Sequence, residues 1–407
     1  MKYVVAVACL ASLLPMVLAF SRLSMAQKQQ HRAFVSLHAE KETSTAPDLD
    51  RIKLAGGGLP MVSAGDFKLF DPSTAGMLQA CKERIAGGDN YLAIVQQDVE
   101  IPEVIDNCQA FLEDVTGDTF AKATSPVTAT VLGRVPLITQ EAPGDIQHVL
   151  LQLPKGFHYL EGQSISIIPP GLNEKGRPQK PRLYSIASTR YGELLDGTTV
   201  SVCVRRAEYV DPATGQVDPT KAGVCSNYLC DLNPGEKVQI AGPIGKSMLL
   251  PEDNNADLIL VATGTGIAPF RGFLRRLFAE NTVASHMYKG QAWLVLGVPV
   301  TGGLLYHDEF SEMMQSRPTQ FQVTYAISRE MQNKDGGKLY VQDVLKENAS
   351  VVLERLEMGA HIYFCGLKGM MPGILDALES VATERGIVWK DYLSQLKKNG
   401  QWHVEVY

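Results

Sequence analysis

The chain has 407 residues, of which 45% are hydrophobic and 20% charged, and its formal net charge is −6. This composition excludes fibrous and disordered proteins, and the acidic balance argues against a protein that binds nucleic acid. The length is sufficient for two domains and a smaller appendage.

The N-terminal segment carries two consecutive targeting signals. Lys2 precedes an apolar run over residues 3–17, and Ala19 completes a small-residue cleavage site, which predicts a signal peptide at 1–19. Residues 20–40 contain basic and hydroxyl side chains and no acidic residue before Glu40, a composition typical of transit peptides. The pair resembles the two-part address of plastids of secondary origin, and plain secretion is the alternative.

The cysteines bear on that choice. The chain has seven, and their spacings match neither a zinc site nor a disulfide framework. An odd number of scattered thiols predicts a reducing compartment and no metal site, which favours the plastid over secretion.

Two weakly informative segments follow the targeting region. Residues 41–66 are polar and glycine-rich, which predicts a linker. Over residues 67–122 the apolar spacing becomes helical, as in Met77, Cys81 and Ile85, and predicts a small helical extension of unknown role.

Residues 123–250 show the period of short β-strands. Turns separate six alternating runs at 127–131, 149–153, 164–168, 183–187, 200–204 and 238–241. This pattern predicts a six-stranded antiparallel barrel, interrupted by one helix near 226–232.

Two short motifs within the predicted barrel indicate a flavin site. Residues 182–185 read Arg-Leu-Tyr-Ser, which combines a cation for a pyrophosphate, a ring for stacking and a hydroxyl for a reactive edge. Residues 223–226 read Gly-Val-Cys-Ser at a predicted helix start, where free N–H groups suit phosphate. Taken alone, the first motif is equally an ordinary strand.

Residues 251–407 alternate between apolar strands and amphipathic helices. The strands are predicted at 258–262, 293–296, 321–327 and 362–365, and helices are predicted after Ile267, Val341, Met370 and Lys390. Such alternation predicts a doubly wound parallel sheet, which binds nucleotides at the carboxyl ends of its strands. A glycine-rich run at 263–271 follows the first of these strands and suits a pyrophosphate, although any tight connection favours glycine.

Further polar residues follow the later strands. Ser328 and Arg329 end the third strand, and Lys338, Tyr340 and Gln342 come at alternating spacing, so that three side chains would face one way. Charged and hydroxyl groups around one point suit a dianionic phosphate, and the tyrosine suits adenine. The alternative is a solvated polar loop.

Two features lie near the chain end. Cys365 ends the fourth strand, where a small thiol can approach a nicotinamide, and the alternative is an ordinary buried cysteine. Residues 402–407 alternate like a strand, so Tyr407 could be docked over an aromatic face with Glu405 nearby, and the alternative is a frayed terminus.

From Ala123 to Tyr407 these motifs, in this order, resemble plant-type ferredoxin–NADP⁺ reductase. The resemblance implies an FAD-binding barrel followed by an NADP(H)-binding α/β domain. It also implies that FAD collects single electrons from reduced ferredoxin, an acidic protein, and passes a hydride to NADP⁺ in photosynthetic electron transport. The plastid stroma or the thylakoid surface is the expected location.

The resemblance also implies site residues. On the barrel side they are Arg182, Leu183, Tyr184, Ser185, Cys203, Val204, Arg205, Tyr209, Val224, Cys225 and Ser226. On the nucleotide side they are Thr265, Val298, Pro299, Ser328, Arg329, Lys338, Tyr340, Gln342, Gly366, Leu367 and Glu405. Arg205 stands where the family usually has lysine, and Ala262 where it often has glycine.

Four residues are the implied catalytic set: Ser185, Cys365, Glu405 and Tyr407. Ser185 and Glu405 would serve the flavin N5 region, Cys365 would shape the nicotinamide pocket, and Tyr407 would stack on the flavin and move aside. The alternatives are a reductase of another one-electron carrier, such as flavodoxin or a cytochrome, and a thylakoid-tethered component that docks through the N-terminal extension.

Overall fold

The computed structural model describes residues 115–193, 197–280 and 283–407. The predicted signal peptide, transit-like segment and linker lie outside these residues, as does most of the helical extension. The boundaries proposed for them therefore stay predictions.

The first half of the described chain forms a six-stranded antiparallel sheet in the order β4-β3-β6-β1-β2-β5. Its strands are β1 Val127–Pro136, β2 Ile146–Gln152, β3 Ser164–Ile168, β4 Arg182–Ser185, β5 Thr199–Arg205 and β6 Lys237–Ile244. The two outermost strands meet through an antiparallel bridge between Ile186 and Val202, reinforced by the Ala187 N–H donating to the Ser201 carbonyl at 2.8 Å. This contact closes the sheet and confirms the predicted barrel.

Alternating side chains fill the barrel, among them Val131, Val149 and Val202, each fully buried. Helix α1, Val224–Asp231, covers one opening and buries Leu229, and it begins two residues before its predicted start. Strands β2 and β5 are buried at nearly every position, because their outer face packs against the second domain.

The second half forms a five-stranded parallel sheet in the order β11-β10-β7-β8-β9, which confirms the doubly wound prediction. The strands are β7 Leu258–Thr263, β8 Ala292–Val298, β9 Phe321–Ile327, β10 His361–Gly366 and β11 Trp402–Val406. The helices are α2 Ala268–Leu274, α3 Val283–Met287, α4 His307–Ser316, α5 Val341–Glu347, α6 Ala349–Glu357, α7 Met371–Glu384 and α8 Trp389–Lys398. None of the helices in the described ranges is long and apolar enough to cross a membrane.

Helices α3, α4 and α6 were not among the predicted elements. Helix α4 follows Tyr306, whose left-handed backbone conformation (φ 55°) is unusual for a residue other than glycine. No glycine or proline marks that start. Its buried apolar face is small, with Phe310 and Met313, so the helical period is weak in sequence.

From β7 the chain builds the sheet toward one edge through β8 and β9, and it then returns to place β10 on the other side of β7. The carboxyl ends of β7 and β10 bring the turn at Gly264–Ile267 against Cys365. A Cβ added to Gly266 would lie 2.2 Å from the Cys365 carbonyl oxygen, so only glycine permits this approach. Such reversal points are where open α/β sheets bind ligands.

Candidate active site

The Arg-Leu-Tyr-Ser motif forms β4, whose side chains lie at the surface of the barrel. Leu183 is 57% exposed, and the exposed Arg182 donates from Nη1 to the Lys180 carbonyl at 3.1 Å. Tyr184 is half-buried and packs against the barrel core. The strand thus presents apolar area, a cation and the Ser185 hydroxyl on one accessible ribbon, which a flat ring system can cover.

The second motif places the start of α1 beside this strand. Cys225 is buried and close to Tyr184, and no side chain caps the helix at Gly223, so its first N–H groups can meet phosphate. A Cβ on Gly223 would lie 2.6 Å from the Cβ of Ala207. Ser226 is more internal than the sequence suggests, because its Oγ accepts from the Ala207 N–H at 3.1 Å.

The side chains of β5 alternate between the two faces of the strand. The Val204 side chain is fully buried in the barrel core, so the prediction that it binds a cofactor can apply only to its backbone. Cys203 faces Tyr306 and Arg271 of the second domain, and Arg205 is exposed. Val224, at the start of α1, is 51% exposed.

Tyr209 lies beyond β5 and is 38% exposed. The Lys221 ammonium lies 4.5 Å from the centre of its ring, a cation–π contact that sequence analysis missed. An isolated lysine twelve residues along the chain carries no signal of this kind. The pair provides an aromatic surface with a cation beside it, which suits an adenine and its phosphate.

The nucleotide-side residues meet at the carboxyl ends of β8 and β9. The Ser328 N–H donates to the Val298 carbonyl at 3.0 Å, and the Arg329 N–H donates to the Pro299 carbonyl at 2.9 Å. The Arg329 side chain is exposed. Four predicted residues are therefore joined by backbone bonds at one edge of the sheet.

The expectation that Lys338, Tyr340 and Gln342 alternate so that they face one way fails at Gln342, because the helix predicted after Val341 is confirmed and contains it. Lys338 pairs with Gln332 in an isolated bridge, but Tyr340 is the N-cap of α5 and Gln342 lies in the first turn of that helix. The Asp343 carboxylate accepts from the Tyr340 N–H at 2.8 Å and fixes this helix start. Lys338 and Tyr340 are exposed, and Gln342 is half-buried.

The four residues of the implied catalytic set come together where the two domains meet. Cys365 and Glu405 are register partners in β10 and β11, and Ser185 lies beside the Cys365 thiol. Burial raises the pKa of Cys365 to about 12, so it remains a protonated thiol near neutral pH. Glu405 accepts from the Ser164 hydroxyl at 3.2 Å.

Ser164 is a site residue that sequence analysis missed. It is the register partner of Ser185 across β3 and β4, and it reaches Glu405 from a position 241 residues away in sequence. The serine lies in an ordinary strand with no motif around it. Its hydroxyl joins the barrel hydroxyls to the carboxylate of the second domain.

Tyr407 lies at the same junction. Its hydroxyl is 2.7 Å from the Thr265 Oγ1, while its N–H donates to the Gly366 carbonyl at 2.9 Å and its carbonyl accepts from the Lys368 N–H at 3.0 Å. The residue as a whole is 62% exposed. Leu367, beside it, is 57% exposed. A ring with a fixed backbone and an open face suits stacking.

Burial raises the pKa of Glu405, and the hydrogen bond from Ser164 opposes this effect. A carboxyl group with a higher pKa in the folded chain loses stability as the pH rises from its unfolded pKa through its folded pKa. We expect Glu405→Gln, which keeps an acceptor for Ser164, to raise the Tm by about 1–3 °C at pH 8 and to leave it unchanged at pH 4. Thermal melts at both pH values, with the exposed Glu379→Gln as control, check this, and an equal gain at pH 4 would contradict it.

Comparison with known proteins gives a consistent result. Residues 260–376 match the oxidoreductase NAD-binding domain family. The chain is 56% identical over 289 residues to a rice protein, ferredoxin–NADP reductase, embryo isozyme, chloroplastic (Oryza sativa subsp. japonica), covering 70% of this chain and 76% of the relative. It is 50% identical over 286 residues to the chloroplastic ferredoxin–NADP reductase of Chlamydomonas reinhardtii, covering 70% and 80%.

The solved structures agree with these relatives. The ferredoxin–NADP⁺ reductase of Plasmodium falciparum with 2′P-AMP superimposes with a TM-score of 0.57 at 26% identity, covering 72% of this chain and all of that one. A second structure of the Plasmodium falciparum enzyme gives the same TM-score at 27% identity.

Proposed function

Since this chain belongs to the ferredoxin–NADP reductase family, we propose that it transfers electrons from reduced ferredoxin to NADP⁺ through bound FAD. One observation carries this proposal: the barrel hydroxyls of Ser164 and Ser185 meet Cys365 and Glu405 of the second domain. A flavin edge and a nicotinamide have to face each other at such a junction for hydride transfer.

The barrel residues fit FAD by their exposure and chemistry. The exposed ribbon of β4 suits the isoalloxazine, Arg182 and the start of α1 suit the pyrophosphate, and Tyr209 with Lys221 suits the adenine. When bound, FAD supplies the conversion between single electrons and a hydride.

The chain's own residues would then orient and gate the reaction. Ser185 and Cys365 position the two reacting rings, and the Ser164–Glu405 hydrogen bond holds an ionisable group that can exchange a proton with the site. Tyr407 covers the place of the nicotinamide and moves aside when the nucleotide binds. Arg329, Lys338 and Tyr340 bind the adenosine end, a role supported by the Plasmodium relative, whose structure was solved with 2′P-AMP.

The experiment that tests the function is cytochrome c reduction by the purified mature protein. We expect activity that depends on added ferredoxin and strongly prefers NADPH over NADH. Activity that is indifferent to ferredoxin, or that favours NADH, would assign the protein to another class of flavoprotein reductase.

Ferredoxin docking is assigned to an exposed basic hairpin just before β4. The Asn173 Oδ1 accepts from the backbone N–H groups of Lys175 (2.9 Å) and Arg177 (3.2 Å), which orders the backbone of the turn that carries these exposed cations, with Lys180 beside them. Positive charge next to the flavin strand would steer an acidic partner toward it.

Reversing all three charges to glutamate is expected to raise the KM for ferredoxin by about 10- to 100-fold, since each charge pair contributes roughly 0.5–1 kcal/mol. Ferricyanide reduction by NADPH should be unchanged, because it needs no docking. Steady-state kinetics at low and high salt measure both effects. The same reversal at Lys390, Lys397 and Lys398 of α8 is the control, and an equal loss there would refute the assignment.

The chloroplastic relatives support a plastid location. The finer assignments, to the stroma of a complex plastid, to the thylakoid surface and to flavodoxin as a second donor, are parts of the proposal. Deleting residues 67–120 and comparing membrane association with turnover would separate a tethering role of the extension from catalysis.

A further inference from the structure

A buried polar cluster lies between the barrel and the second domain, apart from the residues assigned to the cofactors. His148 and Glu193 come from the barrel, and Arg271, Tyr306 and Glu309 come from the second domain. Each is at most 4% exposed. Polar groups removed from water at this cost persist where they specify one arrangement of the elements that carry them.

Arg271 is the ionic centre of the cluster. Its guanidinium donates to Glu193 Oε1 at 2.5 Å, to the Ala187 carbonyl at 3.0 Å and to Glu309 Oε1 at 2.9 Å. Ala187 follows Ser185 by two residues, and α2, which contains Arg271, directly follows the turn of Thr265. One side chain therefore connects the strand of Ser185 to the turn that contacts Tyr407.

Tyr306 is the most unusual member of the cluster. It is the only residue other than glycine with a positive φ in the part of the chain that the structure describes. Its ring centre lies 4.7 Å from the Arg271 guanidinium, and its hydroxyl lies 3.0 Å from His148 Nδ1. A strained backbone at a fully buried residue points to a role beyond packing.

The barrel receives this hydroxyl with a cross-strand pair. His148 on β2 and Cys203 on β5 are register partners, and the Tyr306 hydroxyl interacts with both. Burial lowers the pKa of His148, which keeps it neutral, and its Nε2 lies 3.4 Å from Glu193 Oε1. An N–H at Nε2 that faces this carboxylate leaves Nδ1 to accept from the tyrosine.

We propose that Tyr306 is a positioning residue: its hydrogen bond to His148 fixes the orientation of the two domains and so aligns Ser185 with Cys365 for hydride transfer. The inference rests on the proposed function for its catalytic consequence. The contact itself joins one side chain of each domain, His148 of the barrel and Tyr306 of the second domain. Loss of the hydroxyl would leave the nucleotide grip intact and misalign the reacting groups.

The test compares Tyr306→Phe with Tyr325→Phe in the FAD-loaded protein. Tyr325 is also buried and bonds a histidine, His307 Nδ1, at 2.9 Å, but both partners belong to the second domain. We expect Tyr306→Phe to slow flavin reduction by NADPH about tenfold in stopped flow and to weaken the flavin–nicotinamide charge-transfer absorbance. The Kd for NADP⁺ and the FAD content should stay within about twofold of wild type, and Tyr325→Phe should match wild type in all four measurements.

Two further variants separate positioning from folding. His148→Asn, whose Oδ1 can take the position of Nδ1, keeps an acceptor for the Tyr306 hydroxyl and should show a near-wild-type rate of flavin reduction. His148→Leu removes the acceptor and should reproduce the slow reduction of Tyr306→Phe. Combining His148→Leu with Tyr306→Phe should cause no further loss. Equal rates in the two tyrosine variants, or a loss that follows FAD content, would overturn the proposal.

Hydrogen exchange gives a readout that does not depend on the reaction. Tyr306→Phe should accelerate amide exchange in residues 146–149, on the far side of the contact, and Tyr325→Phe should not. Unchanged exchange would overturn the positioning role. Failure of the wild-type protein to accept hydride from NADPH would instead reject the proposed function, and hydrogen exchange would still decide whether the hydroxyl fixes the domains.

Discussion

Replacing Tyr407 with serine is expected to reduce the preference for NADPH over NADH, expressed as a ratio of kcat/KM values, by about 30- to 100-fold. In the proposed mechanism the ring occupies the place of the nicotinamide, so a dinucleotide would have to displace it, and only the 2′-phosphate contacts of NADPH would provide enough binding energy. Burying an aromatic ring is worth about 2–3 kcal/mol, which corresponds to this range. Once the ring is absent, NADH reaches the site without that cost, whereas we expect NADPH to gain little because its 2′-phosphate contacts already bring its kcat/KM close to the association limit.

The structure indicates that Tyr407→Ser removes the ring without displacing the backbone of the chain end. The backbone of Tyr407 is held by Gly366 and Lys368, so the chain end should stay in place when the side chain is shortened. Tyr407→Phe, which loses only the bond to Thr265, is the matched control and should keep most of the selectivity. Ferricyanide reduction with each nucleotide measures both variants. An unchanged preference for NADPH over NADH in Tyr407→Ser would contradict the proposal that Tyr407 gates the nicotinamide site.

Replacing Arg329 with alanine is expected to raise the KM for NADPH by about 10- to 100-fold and to leave the KM for NADH unchanged. A hydrogen bond to a charged group is worth about 1.5–3 kcal/mol, and only NADPH carries the 2′-phosphate that would receive it. The Arg329 side chain is exposed, and the Arg329 N–H donates to the Pro299 carbonyl. The loop should therefore keep its conformation when the side chain is removed.

Lys334→Ala is the matched control for this variant. Lys334 lies in the same loop but forms an ion pair with Glu347 at 3.4 Å, away from the proposed grip. Steady-state kinetics with both nucleotides should show no selectivity change for Lys334→Ala. Equal effects of Arg329→Ala on NADPH and NADH would place Arg329 outside the phosphate site.

The barrel strands show which features of the fold can be predicted from local sequence. Their period of two and their turns are local properties, and all six were predicted. Strand β2 nevertheless starts three residues earlier than predicted, and the added residues include Gln147 and His148. His148 is buried against Tyr306 of the second domain, and alternation within one strand cannot report that cover.

The site residues show the same limit of prediction from local sequence. Ser185 lies in a motif with its own signature, whereas Ser164 acquires its contact with Glu405 through strand register and domain packing. The alternating spacing of Lys338, Tyr340 and Gln342 predicts side chains that face one way, but the helix start fixed by Asp343 places Gln342 in a helical turn. A short polar run fits either backbone, and the acceptor three residues ahead decides between them.

Local patterns in the sequence by themselves determined the two-domain fold, the order of its strands along the chain and the motifs that mark a flavin and a nucleotide site. These features depend on side-chain period, glycine placement and residue chemistry over fewer than about ten neighbouring positions. Only the tertiary structure decided that Ser164 meets Glu405, that Val204 faces the core and that Tyr306 contacts His148 across the domain boundary. Each of these depends on register and burial between segments far apart in the chain, which no local window contains.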